Sequence, residues 1–349
     1  MNEQWQDFLQ QQGAVIENGV VTEFTKHGID FKDIHQTTIL VDLSHRSLLK
    51  ASGTDAQDFL QGQFCNDVRA VDSSHSQLSA YCTPKGRILA SFRLLQTTDG
   101  YFMNMHSDVA EATLKRLRMF VLRSQVVLDD MSNELGQIGI AGPQASQLLE
   151  AEFGRLPEAA NAVCSKANLV CARIADQTPR FEIFGPIDEI KSLWTRLSAT
   201  ASPAATHYWT WLDIQAGLPS ITGPVVEAFV PQMINLHWVD GLSFKKGCYP
   251  GQEIVARTHY LGKLKRRMYL AHIDTPTCPA VGDEVHRMAD PGGQSAGKIL
   301  HSHPAPQGGC DVLVVMQIEA VTTDEIIANR DTHTKLQFQD LPYTVDDAA

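Results

Sequence analysis

The sequence predicts an α+β protein with two duplicated α+β units and a carboxy-terminal antiparallel barrel. Three observations carry that expectation. One strand–helix–strand–helix order occurs twice along the chain. After residue 268 the pattern changes to short strands separated by Gly/Pro turns. The length of 349 residues exceeds one ordinary core and accommodates two or three domains of about 100 to 150 residues each.

Met1 to Gln12 is polar, has no basic run ahead of an apolar stretch, and reads as an amphipathic helix, not a secretory signal. Leu48 to Ser52 has strand character and runs into Gly53, and Thr54 stands where it would cap an apolar-periodic helix from Asp55 to Gln63. Leu78 to Thr83, Ile88 to Gln96 and Tyr101 to Met105 follow as a three-strand meander, punctuated by Pro84-Lys85-Gly86 and Thr98-Asp99-Gly100. Ser107 is expected to cap the next helix, in which Val109, Leu114, Leu117 and Val121 share one face.

The order then returns. Gln137 to Ala141, Gly142-Pro143 and a helix over Gln144 to Phe153 mirror the first strand and helix, so that Gly142 matches Gly53, Ala145 matches Ala56 and Leu149 matches Leu60. Strands at Leu169 to Ile174 and Phe181 to Phe184 precede a helix whose Asp188, Arg196 and Leu197 align on Asp108, Arg116 and Leu117. A helix over Ala204 to Ala216 gives way to Gly/Pro-broken loops. Met268 to Ile273, Glu284 to Met288, Ala296 to His301, Val312 to Ile318 and Lys335 to Phe338 read as the barrel strands. The expected domains are 1–130, completed by 204–255; 131–203; and 256–349.

Composition bounds the function. Hydrophobic residues at 43% and charged residues at 20% describe a folded chain and not a disordered one. No segment approaches the roughly 18 apolar residues of a membrane span, so no membrane partner and a cytoplasmic location are expected. The seven cysteines contain no C-x-x-C pair, which argues against a disulfide framework and against a self-contained metal site; reduced thiols are expected. A net charge of −11 argues against nucleic-acid binding by the whole surface, so an anionic partner needs a local basic patch. Such a patch exists: 254–273 contains no acid, while Arg257, Lys263, Lys265, Arg266 and Arg267 crowd together after Lys245 and Lys246. It reads either as a solvated basic face or as a seat for a polyanion such as a polyglutamyl tail or RNA.

The segment most suggestive of chemistry is Lys245-Lys246-Gly247-Cys248-Tyr249-Pro250-Gly251-Gln252-Glu253. Gly247 is expected to supply a backbone angle closed to other residues, and Pro250 to open a helix running through Arg257. Cys248 would then lie just before a helix amino terminus beside two lysines, a setting that favours the thiolate and nucleophilicity at neutral pH. The other reading is a cysteine that fills a small pocket. No adjacent His or Asp completes a catalytic pair, which leaves the mechanism open.

Residues 246–253 match K-G-C-Y-x-G-Q-E at every specified position, and on that motif the chain resembles the YgfZ family. Val41-Asp42-Leu43-Ser44-His45 is similar to the D-V-S-H segment of the wider T-protein superfamily, and Phe59 to Val68 to its F-L-Q-x-x-x-T-N-D-V segment, with Cys65 in place of threonine. The resemblance spans nearly the whole chain. It implies a three-domain cloverleaf, with two ferredoxin-like units and a barrel around a channel for tetrahydrofolate or its formyl or methylene derivative. It also implies folate contacts at Trp209 and Arg46, at Asn66 and Asp67, and at Gln252 and Arg257. On the same resemblance Cys248 is expected as the reactive thiol, with Lys246, Tyr249 and Glu253 beside it.

Two departures matter. The aminomethyltransferases carry G-G-I-x-D-D after the first hairpin turn, where this chain has Lys85-Gly86-Arg87-Ile88-Leu89-Ala90, and Gln215 replaces a pterin-recognising glutamate. The resemblance therefore implies a folate-binding accessory protein that supports iron–sulfur enzymes, including tRNA-thiolating ones, and tRNA modification; a weak tRNA contact through 257–267 is expected separately, from the basic patch alone. The alternative is a tetrahydrofolate-dependent one-carbon transferase.

Overall fold

A computed structural model describes residues 1–25, 29–260, 262–328 and 332–345. The chain forms two compact units. Met1–Phe59, Arg69–Gln77 and Arg93–Thr210 make the first, and Leu60–Val68, Leu78–Phe92 and the chain from Trp211 onward make the second.

The first unit holds a six-stranded sheet in the order Val163–Lys166, Leu169–Arg173, Arg180–Pro186, Leu135–Ala141, Ile39–Asp42, Ser202–Ala204. Along Arg180–Pro186 the side chains alternate, as the strand period requires. Phe181 and Ile183 enter a core with Trp5, Leu149 and Trp194, while Phe184 enters another with Leu48, Leu95 and Phe102. Helices Glu3–Gln11, Ala145–Phe153 and Ile187–Leu197 supply the first of these cores. Ile187–Leu197 is helical because Ile187, Ile190, Leu193, Trp194 and Leu197 recur at helical spacing on the buried face. Asp188 and Glu189 in its first turn and Arg196 in its last complement the helix dipole. The strands Gly100–His106, Arg46–Ser52 and Val127–Asp130 pair in that order, and helix Ser107–Arg118 follows.

The duplication is visible at its two corner glycines. Gly53 has φ +111°, and a Cβ there would lie 2.2 Å from the Gln125 carbonyl oxygen. Gly142 has φ +126°, and its Cβ would lie 2.5 Å from the Thr37 carbonyl oxygen. Both strand–helix corners demand glycine for the same reason: positive φ beside a passing backbone. Boundaries differ slightly from expectation. The helix after Gly53 is Ala56–Gln61, and the helix from Ser107 has His106 at its cap position, with no side-chain cap bond.

The second unit is built on a nearly closed antiparallel sheet, ordered Ile326–Ile327, Glu284–Arg287, Gly297–Pro304, Cys310–Gln317, Arg266–Ile273, Leu336–Gln339. A bridge between Ile327 and Lys335 stands near its open edge. Both faces are covered: Val312, Val314 and Met316 enter one core, and Leu313 and Val315 another that contains Ile214, Ile221 and Tyr249.

One expectation fails here. The cysteines are not all reduced, because Cys278 and Cys310 form a disulfide with Cα atoms 5.5 Å apart. Cys310 pairs with Ile273 across the sheet, which brings the chain just after that strand alongside it. A separation of 32 residues carries no sequence signal for that register. Among the described residues no helix is long and apolar enough to cross a membrane.

Candidate functional site

The motif loop of the second unit is held by a buried cation. Lys246 is 6% exposed, and its ammonium donates to the carbonyl oxygens of Gln61 at 2.7 Å, Phe64 at 2.5 Å and Asn66 at 3.0 Å. A cation just past a helix carboxy terminus, here Ala56–Gln61, satisfies carbonyls that the helix leaves without partners. The same ammonium stands 5.2 Å from the ring centroid of buried Tyr249, and burial pushes that phenol well above its ordinary range. Lys246 and Tyr249 thus anchor the loop from below.

Cys248 lies between them in sequence and points outward. Of the free cysteines, Cys65, Cys82 and Cys171 are buried, Cys164 is partly buried and Cys248 is exposed. The glycine assignments change. Gly247 lacks a positive φ, and a Cβ there would meet nothing within 4 Å. Gly251 is the constrained position: its φ is +86°, and a Cβ would lie 2.5 Å from the Thr83 carbonyl oxygen and 2.6 Å from the Gly86 Cα. Because Gly251 is left-handed, the helix begins after it, as Gln252–Tyr260, and Pro250 precedes the helix instead of opening it. Gln252 donates to the Lys246 carbonyl at 3.3 Å, while Glu253 and Arg257 are exposed.

The segment beneath the loop is equally ordered. Cys65 is enclosed; its thiol donates to the Gly241 carbonyl at 3.4 Å and accepts from the Ala80 amide at 3.2 Å. These are the two roles a threonine hydroxyl would fill, and burial pushes the thiol up to about 11. Asn66 donates to the carbonyls of Leu78 at 2.9 Å and Asp240 at 2.6 Å. Half-buried Asp67 accepts from Gln61 Nε2 at 2.9 Å, and Gln61 Oε1 accepts from the Val68 amide at 2.8 Å. Gln61 was not singled out from the sequence, although it is the glutamine of the F-L-Q segment.

The remaining expected residues lie in the first unit. Trp209 is fully buried: its ring sits where a Cβ on Gly139 would be, 2.4 Å from Cζ3, and the Arg180 guanidinium lies 4.8 Å from its centroid. Neither face of that indole is open within the unit. Arg46 pairs with Glu182, which also faces Arg93. Burial alone would push the Glu182 carboxyl up, and Arg46, Arg93 and Arg180 outweigh it and hold it below the usual carboxylate range. Nearby Tyr208 donates to the Ile29 carbonyl at 2.8 Å.

Gln215 has a physical reason in the second unit. Its amide donates to Asp311 Oδ2 at 2.9 Å, beside Trp211 Nε1 at 2.8 Å, and His272 Nδ1 stands 2.8 Å from Asp311 Oδ1. A glutamate at 215 would set a second carboxylate against Asp311 in a buried network.

The model of the GCVT N-terminal domain matches residues 6–239. The tRNA-modifying protein YgfZ of Colwellia psychrerythraea is 30% identical over 317 residues, covering 88% of this chain and 94% of that protein. The protein of the same description from Edwardsiella ictaluri is 29% identical over 315 residues, covering 89% and 94%. Among solved structures, the glycine cleavage system aminomethyltransferase T from Bartonella henselae superposes with a TM-score of 0.79 over 96% of both chains, at 18% identity.

Proposed function

The chain belongs to the YgfZ family and to the wider group defined by the GCVT N-terminal domain, and on that premise we propose that it binds tetrahydrofolate or a formyl or methylene derivative and serves tRNA modification, with Cys248 as its working thiol. Relatives described as tRNA-modifying proteins support the role, and the T-protein-like fold supports the ligand class. The iron–sulfur enzymes that thiolate tRNA are the beneficiaries in this reading.

One observation carries the assignment of Cys248. It is the exposed member of the free cysteines, on a loop whose neighbouring lysine is spent on backbone carbonyls and so fixes the thiol's position. Lys246 and Tyr249 act as positioning residues. Of the residues expected to meet folate, Asp67, Gln252 and Arg257 keep accessible side chains, whereas Trp209 is enclosed. Folate, when bound, supplies a one-carbon or pterin group, and this chain's part is to hold it and present the thiol.

Two measurements test the reading. Calorimetry with tetrahydrofolate should give binding that Asp67→Ala, Gln252→Ala and Arg257→Ala each weaken. No heat at millimolar folate would remove the ligand assignment. Site-resolved iodoacetamide labelling at pH 7.4 should modify Cys248 at least about ten times faster than Cys65, Cys82 or Cys171. Equal rates would remove the thiol assignment.

A further inference from the structure

The second unit carries a cavity that no residue of the motif loop lines. Lys263, Lys265, Arg266 and Arg267 line it with Trp238, its volume is 870 Å³, and Glu319 is the acidic residue in its wall. Such a volume is in the range of ordinary ligand sites. Four cations against one acid reverse the sign of a chain whose net charge is −11.

The backbone holds these cations in place, and three of them, Lys263, Lys265 and Arg266, carry no ion pair among the described residues. The Ile318 amide donates to the Lys265 carbonyl at 3.0 Å, which seats the start of the strand. Arg266 and Arg267 pair with Gln317 and Met316 across the sheet, and the Arg267 guanidinium lies 4.6 Å from the Tyr269 ring centroid. Clustered like charges repel at a cost in stability, so a patch this dense with a single acid in its wall is suited to an anion brought from outside. The second component is aromatic: half-buried Trp238 stands in the same wall, its neighbour His237 tilted against it with centroids 4.7 Å apart. A polycarboxylate has no use for an indole face, whereas a single-stranded nucleic acid offers phosphates and bases together.

We propose that this cavity binds single-stranded RNA, with Lys263, Lys265 and Arg266 on successive phosphates and the Trp238 indole stacked on a base. The inference rests on the tRNA-modification reading above and specifies its direct partner, an unpaired segment of the tRNA.

The test is fluorescence anisotropy on the full chain with three probes: an unmodified tRNA transcript, a labelled single-stranded oligoribonucleotide and a labelled poly-γ-glutamate peptide. Wild-type affinity for the oligoribonucleotide should fall with salt at a log–log slope of about −2, as expected for three phosphates on a single strand. Lys263→Ala/Lys265→Ala/Arg266→Ala, at exposed or half-exposed positions, should bring that slope close to zero. Trp238→Ala should weaken binding roughly five- to hundred-fold, and Trp238→Phe, which keeps a stacking face and controls for folding, should restore most of the loss. Unchanged affinity and slope in the triple variant would overturn the proposal. So would variant-sensitive binding of poly-γ-glutamate without RNA binding. Cellular tRNA modification measured with Cys248→Ala tests the broader reading separately: if that variant fails to restore modification while RNA affinity ignores the cavity, only the RNA site falls.

Discussion

The ammonium of Lys246 donates across 2.7 Å to the carbonyl oxygen of Gln61, 185 positions earlier in the chain. With the further bonds to Phe64 and Asn66, this contact joins the motif loop to the F-L-Q…N-D-V segment. Removing the amine leaves three carbonyls without their charged donor. Lys246→Met should therefore destabilise the second unit by about 3 kcal/mol, measured by urea unfolding, whereas exposed Lys245→Ala should stay within about 0.5 kcal/mol. Equal small effects would mean that Lys246 is not the anchor.

Glycine 251, and not glycine 247, fixes the approach of the loop to the turn at Thr83–Gly86. Gly251→Ala places a methyl 2.5 Å from a carbonyl oxygen at φ +86°, which should cost about 2 kcal/mol or more. Gly247→Ala meets open space and should be neutral or slightly stabilising. Thermal melts of the two variants check the contrast, and reversed effects would return the turn to Gly247.

Asp42 supplies a pH dependence. It is fully buried, and burial first of all raises its carboxyl from 3.8 to about 6, against the opposing bonds from Trp5 and Ser44. Because the folded value is the higher one, the native state holds the proton more tightly than the unfolded state. The resulting stability is fully present below about 3.8 and is lost as pH rises through about 6, amounting to at most about 3 kcal/mol. Asp42→Asn keeps an acceptor for the Trp5 indole and has no such loss. The Tm of wild type minus that of Asp42→Asn should fall between pH 5 and pH 8, and a constant difference would contradict the assignment.

The Cys278–Cys310 bond closes a loop of 32 residues, which in the chain-entropy account is worth about 3.7 kcal/mol. Intact mass under non-reducing conditions should show the protein two hydrogens lighter than its fully reduced form. Reductant should lower the Tm, and Cys278→Ser should abolish that sensitivity. A reductant-insensitive wild type would leave the bond without a role in stability.

Much of the fold was legible because its punctuation is local. Gly53 and Gly142 mark equivalent corners whose conformation only glycine tolerates cheaply, and the Gly/Pro turns after residue 268 delimit the barrel strands. Ile39–Asp42 was missed because all four residues are buried, so it shows no alternation. The disulfide and the partners of Lys246 depend on strand register and on backbone carbonyls far away in sequence, neither of which leaves a pattern of residue types. The resemblance implies a folate contact at Trp209. What decides its role is Gly139, which makes room for the ring in the core.

The most direct test of the account is the level of modified, and in particular thiolated, nucleosides in tRNA from cells lacking this protein, quantified by mass spectrometry after complementation. Wild type should restore them. Cys248→Ala should fold with an unchanged Tm and bind tetrahydrofolate normally, yet leave them near the level of the deletion. Full restoration by Cys248→Ala would contradict the claim that this exposed thiol is the working group.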